Sequence, residues 1–353
     1  MTGARPSPAL CLRVADPLQE PAAADAASTL PGASIFHTAA WASTLHSAYG
    51  FSPRILLAED PSGAVHAAVP VTEVRGWPRR PRAVSQPFAD ECALLARTPE
   101  ARNFLHTAAL DHARRAGWRT WELRGGGAPA NIAPKTTFHG HDLELDPIAP
   151  DCPAGAAPAV HRAVRQAVRA GVTTEFGVHE DLLRRFHRLY LRTRLRHGAP
   201  PAPWRFFSAL RSTLLARGNG FVVVATRGGE DLAGAVFLFA GSRAVFKYGA
   251  SDPAHHHLRA NQLVMARAAA RCARSGCVTL DLGRTSLGAE GLRRYKLSWG
   301  ATERTIAYTR LEPRSGRILP TPDRSRSRAA GLFRHLPLPL FRAVGAALHP
   351  HLA

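Results

Sequence analysis

The sequence predicts a mixed α/β protein built from two tandem units, each with a central, mainly antiparallel sheet flanked by helices. The first observation is size: 353 residues, 45% of them hydrophobic, can fill two cores at roughly 150 residues per domain. The second is a proline-rich break, DPIAPDCPAGAAP, over residues 146–158. The third is that helix-period and strand-period segments alternate on both sides of this break. We therefore expect units at 1–150 and 151–312, followed by a basic, apolar tail at 313–353.

The first unit opens with a helix and a hairpin. In FHTAAWASTLHSAYG the apolar residues recur at helical spacing and Gly50 can end the helix, which predicts a helix from about Thr38 to Tyr49. RILLAED and AVHAAVPVTEV are two half-buried strands separated by the turn signal PSG. A second helix is predicted from Pro99 to Ala116, and the strand WRTWELR follows it.

The second unit begins with helices and continues with a meander. Its first helix, AVHRAVRQAVRAG, has valines on one face and arginines on the other. Further helices are predicted at Glu180–His197 and Pro203–Arg217. Three strands separated by short turns predict an antiparallel meander: GFVVVAT, LAGAVFLFA and RAVFKYGAS. A helix, a short buried strand, a helix and a last strand complete the unit, at Leu258–Ser275, VTLDLG, Leu287–Leu297 and TERTIAYTRL.

The charge of the chain is large, but it is weak evidence for a nucleic-acid partner. Lys and Arg number 46 against 26 Asp and Glu, a net charge of +20. Among the 46 basic residues the only lysines are Lys135, Lys247 and Lys296, so the preference for arginine reflects coding bias in part. A solvated basic surface therefore competes with a binding site for polyanions.

Metal binding, export and membrane spanning are not expected. The five cysteines are scattered without a CxxC pair, and three consecutive histidines, His255 to His257, cannot all aim at one tetrahedral centre. The amino terminus has an apolar run of only four residues, too short for a signal peptide, and the longest interior run has nine, at 233–241. These features predict a cytoplasmic protein.

The order of elements and three short strings resemble a known acyltransferase family. The strings are HRAVRQAVRAGV, VTLDLGRTS and GLRRYKLSWGA, in that order, with FHTAAW and SQPF as further landmarks in the first unit. Together they are similar to the FemAB-like branch of the GNAT acyltransferase superfamily, in which two GNAT-like units stand in tandem. The resemblance covers about residues 10 to 310 and implies transfer of an acyl or aminoacyl group to an amine.

The resemblance leaves the donor open between an acyl-CoA, such as acetyl-CoA, and an aminoacyl-tRNA. The glycine-rich pyrophosphate loop of most GNAT proteins is missing, because HHHLRANQL stands in its place. Arg259 and Asn261, at the start of the helix, are then the candidates to contact the phosphates of coenzyme A. The sequence shows no long helical-hairpin insertion of the kind found in several tRNA-dependent relatives, which favours acyl-CoA slightly.

The resemblance also implies candidates for the chemistry. Lys296 coincides with a lysine of FemAB-like enzymes and could neutralise a phosphate or the developing oxyanion; the alternative is a surface lysine at a helix end. Tyr248 could protonate the leaving group, or it could be a packing tyrosine. Because Lys247 and Tyr248 are adjacent in a strand, we expect them on opposite faces, with only one of them in the cleft.

Further candidates would bind the substrates. Asp281 and Arg284 leave a buried strand, where Asp281 could orient Arg284 or accept the amine; a salt bridge that fixes the loop is the alternative. Tyr295 lies beside Lys296. Arg162 and Arg165 on the basic helix could receive phosphates of a nucleotide-linked acceptor or of tRNA, or form a solvated face.

Two other classes of protein stay open, together with the role of the tail. An RNA-binding protein would use the +20 charge, but the aromatic residues fall mostly on apolar faces. A degenerate acyltransferase fold kept as a scaffold would explain the missing glycine cradle. The tail LFRHLPLPLFRAVGAALHPHLA could lie on a membrane surface or cap the second unit.

Overall fold

The computed structural model describes residues 9–76, 79–126, 133–147, 152–323 and 330–352. Its helices are α1 (Pro21–Ser28), α2 (Ala39–Tyr49), α3 (Pro99–Arg115), α4 (Pro158–Arg169), α5 (Glu180–His197), α6 (Trp204–Thr213), α7 (Ala260–Arg274), α8 (Glu290–Leu297), α9 (Ala330–Phe333) and α10 (Leu338–Leu348). Its strands are β1 (Cys11–Ala15), β2 (Ser52–Glu59), β3 (Val65–Gly76), β4 (Arg79–Val84), β5 (Leu95–Ala96), β6 (Trp121–Arg124), β7 (Thr136–Glu144), β8 (Thr173–Gly177), β9 (Gly220–Arg227), β10 (Glu230–Ala240), β11 (Arg243–Ser251), β12 (Thr279–Asp281), β13 (Thr302–Glu312) and β14 (Arg317–Leu319).

The predicted fold class is confirmed: a large, mostly antiparallel sheet is flanked by helices. The strand order is β1-β2-β3-β4-β6-β13-β7-β12-β11-β10-β9-β8, with β14 on β13 and β5 on β3. In the described part of the chain, the parallel pairs are β4–β6 and β11–β12. The meander β9–β10–β11 and the helices on either side of it follow the sequence prediction closely.

The two halves share this sheet, which corrects the expectation of two separate central sheets. The last strand of the first half, β7, lies between two strands of the second half, pairing with β12 on one side and β13 on the other. β13 in turn pairs with β6 of the first half. A strand edge leaves backbone N–H and C=O groups unpaired, and this exchange removes the edges at the junction. The predicted boundary at 312/313 also divides the β13–β14 hairpin.

Separate hydrophobic cores cover the two faces of the second half's sheet. One core lies between the sheet and the helices α4 and α7, and the other lies against α2, α5 and α6. The face of α7 that packs on the sheet is rich in alanine, so that helix approaches the strands closely. α2 belongs to the first half, so the second core also joins the two halves.

The C-terminal tail packs against the body of the protein. Phe341 of α10 is fully buried, and Gly345 lies against Pro201, where an added Cβ would be 2.5 Å from the proline Cδ. The tail also contacts Tyr49 of the first half through His349. It therefore covers the junction of the two halves, and capping the second unit is only part of its role.

We predict that neither half folds stably without the other. A fragment ending at residue 150 lacks β12 and β13, so β7 loses both neighbouring strands, and a fragment beginning at residue 151 leaves β13 without β6 and β7. Circular dichroism and urea unfolding of the intact chain should show one cooperative transition, and mixing the two fragments should restore it. Cooperative unfolding of the isolated 1–150 fragment would show instead that the halves are independent domains.

Candidate active site

The candidate site begins where β11 and β12 diverge. The two parallel strands pair only over Arg243–Val245 and Thr279–Asp281, after which β12 ends and β11 continues to Ser251. A wedge opens beyond the carboxyl ends of the paired segments, which is where α/β sheets bind ligands. α7 crosses from β11 to β12, so its amino terminus lies at the same end of the strands.

A β-bulge in β11 brings Lys247 into this region. Val236 of β10 pairs with Tyr248 and Phe237 pairs with Phe246, so Lys247 has no partner in the register. The expectation that Lys247 and Tyr248 lie on opposite faces is therefore wrong. The bulge interrupts the alternation, and both side chains lie on the face of the α2–α5–α6 core, with Lys247 Nζ 5.1 Å from the centre of the Tyr248 ring.

Lys247 is a buried ammonium held by one carbonyl and one carboxylate. Its side chain is 4% exposed; Nζ donates to the Phe88 carbonyl at 2.5 Å and lies 3.8 Å from Asp90 Oδ2. Burial lowers the pKa of Lys247, and the carboxylate of Asp90 opposes this shift. The rings of Phe36 and Trp41 lie 5.4 and 5.8 Å from Nζ, so aromatic faces complete the surroundings of the ammonium.

Lys296 is also buried, with 4% of the residue exposed, so the alternative of a surface lysine is wrong. Its Nζ donates to the carbonyls of Gly283 (2.6 Å) and Arg284 (3.2 Å), which leaves one of its three protons without a partner among the described residues. Burial lowers the pKa of Lys296 to about 8, opposed first by Asp90 and then by Asp281. α8 thus places an ammonium against the loop that follows β12.

Gly283 makes this loop possible. Its φ is +74°, and an added Cβ would lie 3.0 Å from Asp90 Oδ2. The loop therefore needs glycine both for its backbone conformation and for the close approach of Asp90. Arg284 then turns back, with its Nε 3.7 Å from Asp90 Oδ1 and its guanidinium 4.4 Å from the centre of the Phe138 ring.

Asp281 does not orient Arg284, because it faces other arginines. Its carboxylate accepts from the Gly283 backbone N–H at 2.7 Å, and Oδ2 lies 3.5 Å from Arg243 and 3.6 Å from Arg304. Burial raises the pKa of Asp281 to about 6, and the two arginines oppose this shift. Of the alternatives for Asp281, the geometry fits the salt bridge that fixes the loop.

The two tyrosines predicted for the site are largely packing residues. Tyr248 contacts the rings of Tyr190, Phe206 and Phe207, and burial raises its pKa, so its hydroxyl stays protonated and remains a proton donor. Tyr295 packs edge-on against Trp299, and burial raises its pKa to about 12.

The candidate phosphate contacts lie at the amino terminus of α7. The helix begins at Ala260, two residues later than predicted, because Pro253–Leu258 form a 3-10 turn. Arg259 is the N-cap with a left-handed φ of +58°, and no side chain caps the helix. The first N–H groups of such a helix are free to bind an anion, and Asn261 lies in this first turn.

The basic face of α4 lies beside this helix terminus. Gln166 of α4 donates to the His257 carbonyl at 2.9 Å, just before Arg259. Arg162 is one helical turn from Gln166 and Arg165 is adjacent to it, and both arginines are exposed. The structure brings these arginines near the amino terminus of α7 but not to Asp90, so the predicted residues form two groups.

The sequence prediction missed Asp90, the acidic centre of the wedge. Asp90 follows the string SQPF by two residues, yet its ion-pair partners Lys247 and Arg284 are more than 150 positions away. The scarcity of lysine was the available signal: two of the three lysines are buried around this one carboxylate. Among the described residues, no group of three or more His, Cys, Asp or Glu could hold a metal ion.

Comparison with known proteins agrees with this geometry. Residues 158–297 match the family model described as an acetyltransferase (GNAT) domain. This part of the chain is similar to a GNAT acetyltransferase domain, and the enzyme class that this likeness supports is N-acyltransferase. The wedge, the α7 terminus and Lys296 all lie within the matched residues. No curated protein matches the chain.

Solved structures extend the likeness to the whole chain. FemX superposes with a TM-score of 0.65 at 14% identity, covering 82% of this chain and 95% of FemX. A tandem GNAT protein from the clavulanic acid biosynthesis pathway gives 0.54 at 13% identity over 86% and 99% of the two chains. The C-terminal domain of a putative lysylphosphatidylglycerol synthetase from Agrobacterium fabrum gives 0.54 at 12% identity over 93% and 96%. The suspected resemblance to the FemAB-like branch of the GNAT superfamily is confirmed at the level of the fold.

We predict that Lys296 titrates near pH 8, below its ordinary value of about 10.4. Lysine labelled with 13C at Cε gives only three signals in this chain, which a Lys296→Arg variant assigns. Asp90→Asn should lower the pKa of Lys296 further, because the lost carboxylate stabilises the charged form. A Lys296 signal that titrates at the ordinary value would contradict the buried position of its ammonium.

Proposed function

We propose that the chain transfers an acyl group from an acyl-CoA to an amine of a small-molecule or cell-envelope precursor. The observation that carries this proposal is the burial of two of three lysines around Asp90, at the wedge of a GNAT domain. Attack of a neutral amine on the thioester carbonyl forms the C–N bond and a tetrahedral oxyanion; its collapse breaks the C–S bond and expels the thiolate, and the proton that the amine nitrogen loses balances the one that the thiolate gains. The reaction therefore needs positive charge at the oxyanion and a proton for the leaving group.

The residues of the wedge can meet both needs. The third proton of Lys296 is free for the oxyanion, and the bulge at Lys247 frees backbone groups of β11 from the strand register. Tyr248 keeps its proton and is the candidate donor to the thiolate. Asp90, about a quarter exposed and close to Lys247, can accept a hydrogen bond from the acceptor amine. Arg284 and Tyr295 would contact the acceptor at the same opening.

Replacing Lys296 by alanine should slow acyl transfer about a hundredfold. The loss of one charge-assisted contact in the transition state costs about 3 kcal/mol, and each 1.36 kcal/mol is tenfold in rate. Turnover would be followed by release of free thiol from acetyl-CoA with a panel of amines. Lys135→Ala is the matched control, because Lys135 is exposed and should leave the rate unchanged. Wild-type turnover in Lys296→Ala would remove this residue from the mechanism.

The amino terminus of α7 is the proposed binding site for coenzyme A as the donor. Free N–H groups of the first turn, Arg259 and Asn261 would contact the pyrophosphate, with Arg162 and Arg165 of α4 at its edge. The alternative donor is aminoacyl-tRNA, as the resemblance to the FemAB-like branch implies. The uncapped helix terminus supports the smaller donor, whereas the +20 charge and the missing glycine cradle suit the larger one.

Salt dependence of binding distinguishes the two donors. The logarithm of affinity falls with the logarithm of salt by roughly 0.7 to 0.9 for each phosphate contacted, so tRNA should give a much steeper slope than coenzyme A. We expect coenzyme A to bind with a shallow slope and Arg259→Ala to weaken it. Tight, steeply salt-dependent binding of tRNA without binding of coenzyme A at about millimolar concentration would reverse the choice of donor and leave the fold unaffected.

We further propose peripheral contact of the C-terminal tail with a membrane surface. Among the described residues, no helix is long and apolar enough to span a bilayer. The tail instead exposes Leu332, Leu338, Leu340 and Leu348, and the sequence has no acidic residue after Asp323. Exposed leucines with arginines and no carboxylates are typical of a surface that contacts anionic lipid.

A further inference from the structure

Phe88 joins the C-terminal tail to the wedge. It is one of two non-glycine residues with a positive φ among the described residues, at +62°. This conformation costs about 1 kcal/mol or more for a residue with a side chain, so the surroundings must hold it in place. Its carbonyl accepts the hydrogen bond from Lys247 Nζ, and Asp90 follows two residues later. The backbone conformation of Phe88 therefore aims two groups at the same ammonium.

The ring of Phe88 is clamped by a histidine from the tail. The ring of His349 stacks on it, with the centroids 4.3 Å apart and the planes at 26°. His349 Nδ1 lies 2.8 Å from the Tyr49 hydroxyl, and Tyr49 also contacts the Phe88 ring at 5.4 Å. Burial lowers the pKa of His349 to about 3 and raises that of Tyr49. The imidazole is thus neutral, and a hydrogen bond joins its Nδ1 to the tyrosine hydroxyl.

The tail that carries His349 is anchored on both halves. Phe341 is fully buried, and Gly345 packs tightly on Pro201 of the second half. Arg82 of the first half donates to the carbonyl of His351 at 3.3 Å, immediately beyond the clamp. These contacts fix His349 independently of the residues that it touches in the wedge.

We propose that His349 is a positioning residue for the wedge: by stacking on Phe88 it holds the strained carbonyl that binds Lys247. This inference rests on the proposed function for its catalytic consequence, but the coupling itself is a property of the fold. The path runs from His349 through the ring and then the backbone of Phe88 to the ammonium. A change at the tail thereby alters the environment of a lysine in the bulge of β11.

The 13C NMR signals of the three labelled lysines test this coupling without an activity assay. In His349→Ala the chemical shift of the Lys247 signal should change and its pKa should rise, since the opened clamp lets water reach the ammonium, while the Lys135 signal stays in place. His349→Phe restores the stacking and should return the Lys247 signal toward the wild-type position. The control is His335→Ala, which removes an exposed histidine of the same tail and should move none of the three signals.

Kinetics separate positioning from general stability. His349→Ala should lower kcat about tenfold with little change in KM for the donor, because the displaced groups lie at the wedge and not at the α7 terminus. A Lys247 signal that is unchanged in His349→Ala, with only a lower Tm, would overturn the proposal. If His349→Ala does not fold, Tyr49→Phe removes the same hydrogen bond and must shift the same signal. If the wild-type protein binds no donor but His349→Ala still shifts the Lys247 signal, the proposed function is refuted and the coupling stands.

Discussion

The insertion of β7 between β12 and β13 is the constraint on which the rest of the structure depends. Each of these strands is short or unpaired without its neighbours, and a strand edge in the middle of a protein would leave backbone groups buried without partners. The exchange fixes the register of β12 against β7, which belongs to the first half. Because β12 ends at Asp281, it also fixes where β11 loses its partner on that side, while it stays paired with β10, and where the wedge opens.

The same exchange explains why both halves contribute charge to one site. The segment around Asp90 belongs to the first half, whereas both buried lysines and Arg284 belong to the second. An unpaired ammonium in an apolar environment costs several kcal/mol, and the carboxylate of Asp90 with the nearby carbonyls offsets that cost. The halves are thus joined by the sheet, by the α2 core and by this ion cluster, so the site exists only when they are assembled.

Local sequence patterns were enough to predict the helices and the meander, because hydrophobic periodicity and turn residues determine structure over only a few positions. α4, α5 and the strands β9 to β11 lie where the sequence predicts them. The pairing of β7 could not be predicted, since its partners are encoded about 140 and 160 residues later and its own sequence, TTFHGHDLE, has no clear alternation. The resemblance supplied Lys296, but only the fold shows that Asp90 lies 3.8 Å from Lys247 and raises the pKa of Lys296 against the effect of burial.

The bulge at Lys247 is a second feature that the sequence analysis did not predict. Alternation of side chains in a strand is a good rule until one residue is inserted into the register, and nothing in RAVFKYGAS marks the insertion. The bulge has a chemical consequence as well, because it turns a lysine that strand geometry would place away from Tyr248 onto the same face. Irregular backbone at Lys247, Phe88 and Gly283 surrounds the opening, whereas the neighbouring paired strands are regular.

The net charge of the wedge bears on which partner it accepts. The wedge contains three cationic side chains, those of Lys247, Lys296 and Arg284, and one carboxylate, that of Asp90. The carboxylate of Asp281 does not offset this excess, because it already lies between Arg243 and Arg304. An excess of positive charge stabilises a developing oxyanion and disfavours a second ammonium, so an acceptor amine at the opening loses its proton more readily than in water. Neutral amine is the nucleophilic form. In the proposed reaction the same lysines would therefore serve both reactants: they would stabilise the charge that forms on the thioester carbonyl, and they would keep the attacking nitrogen free of the proton that would block it.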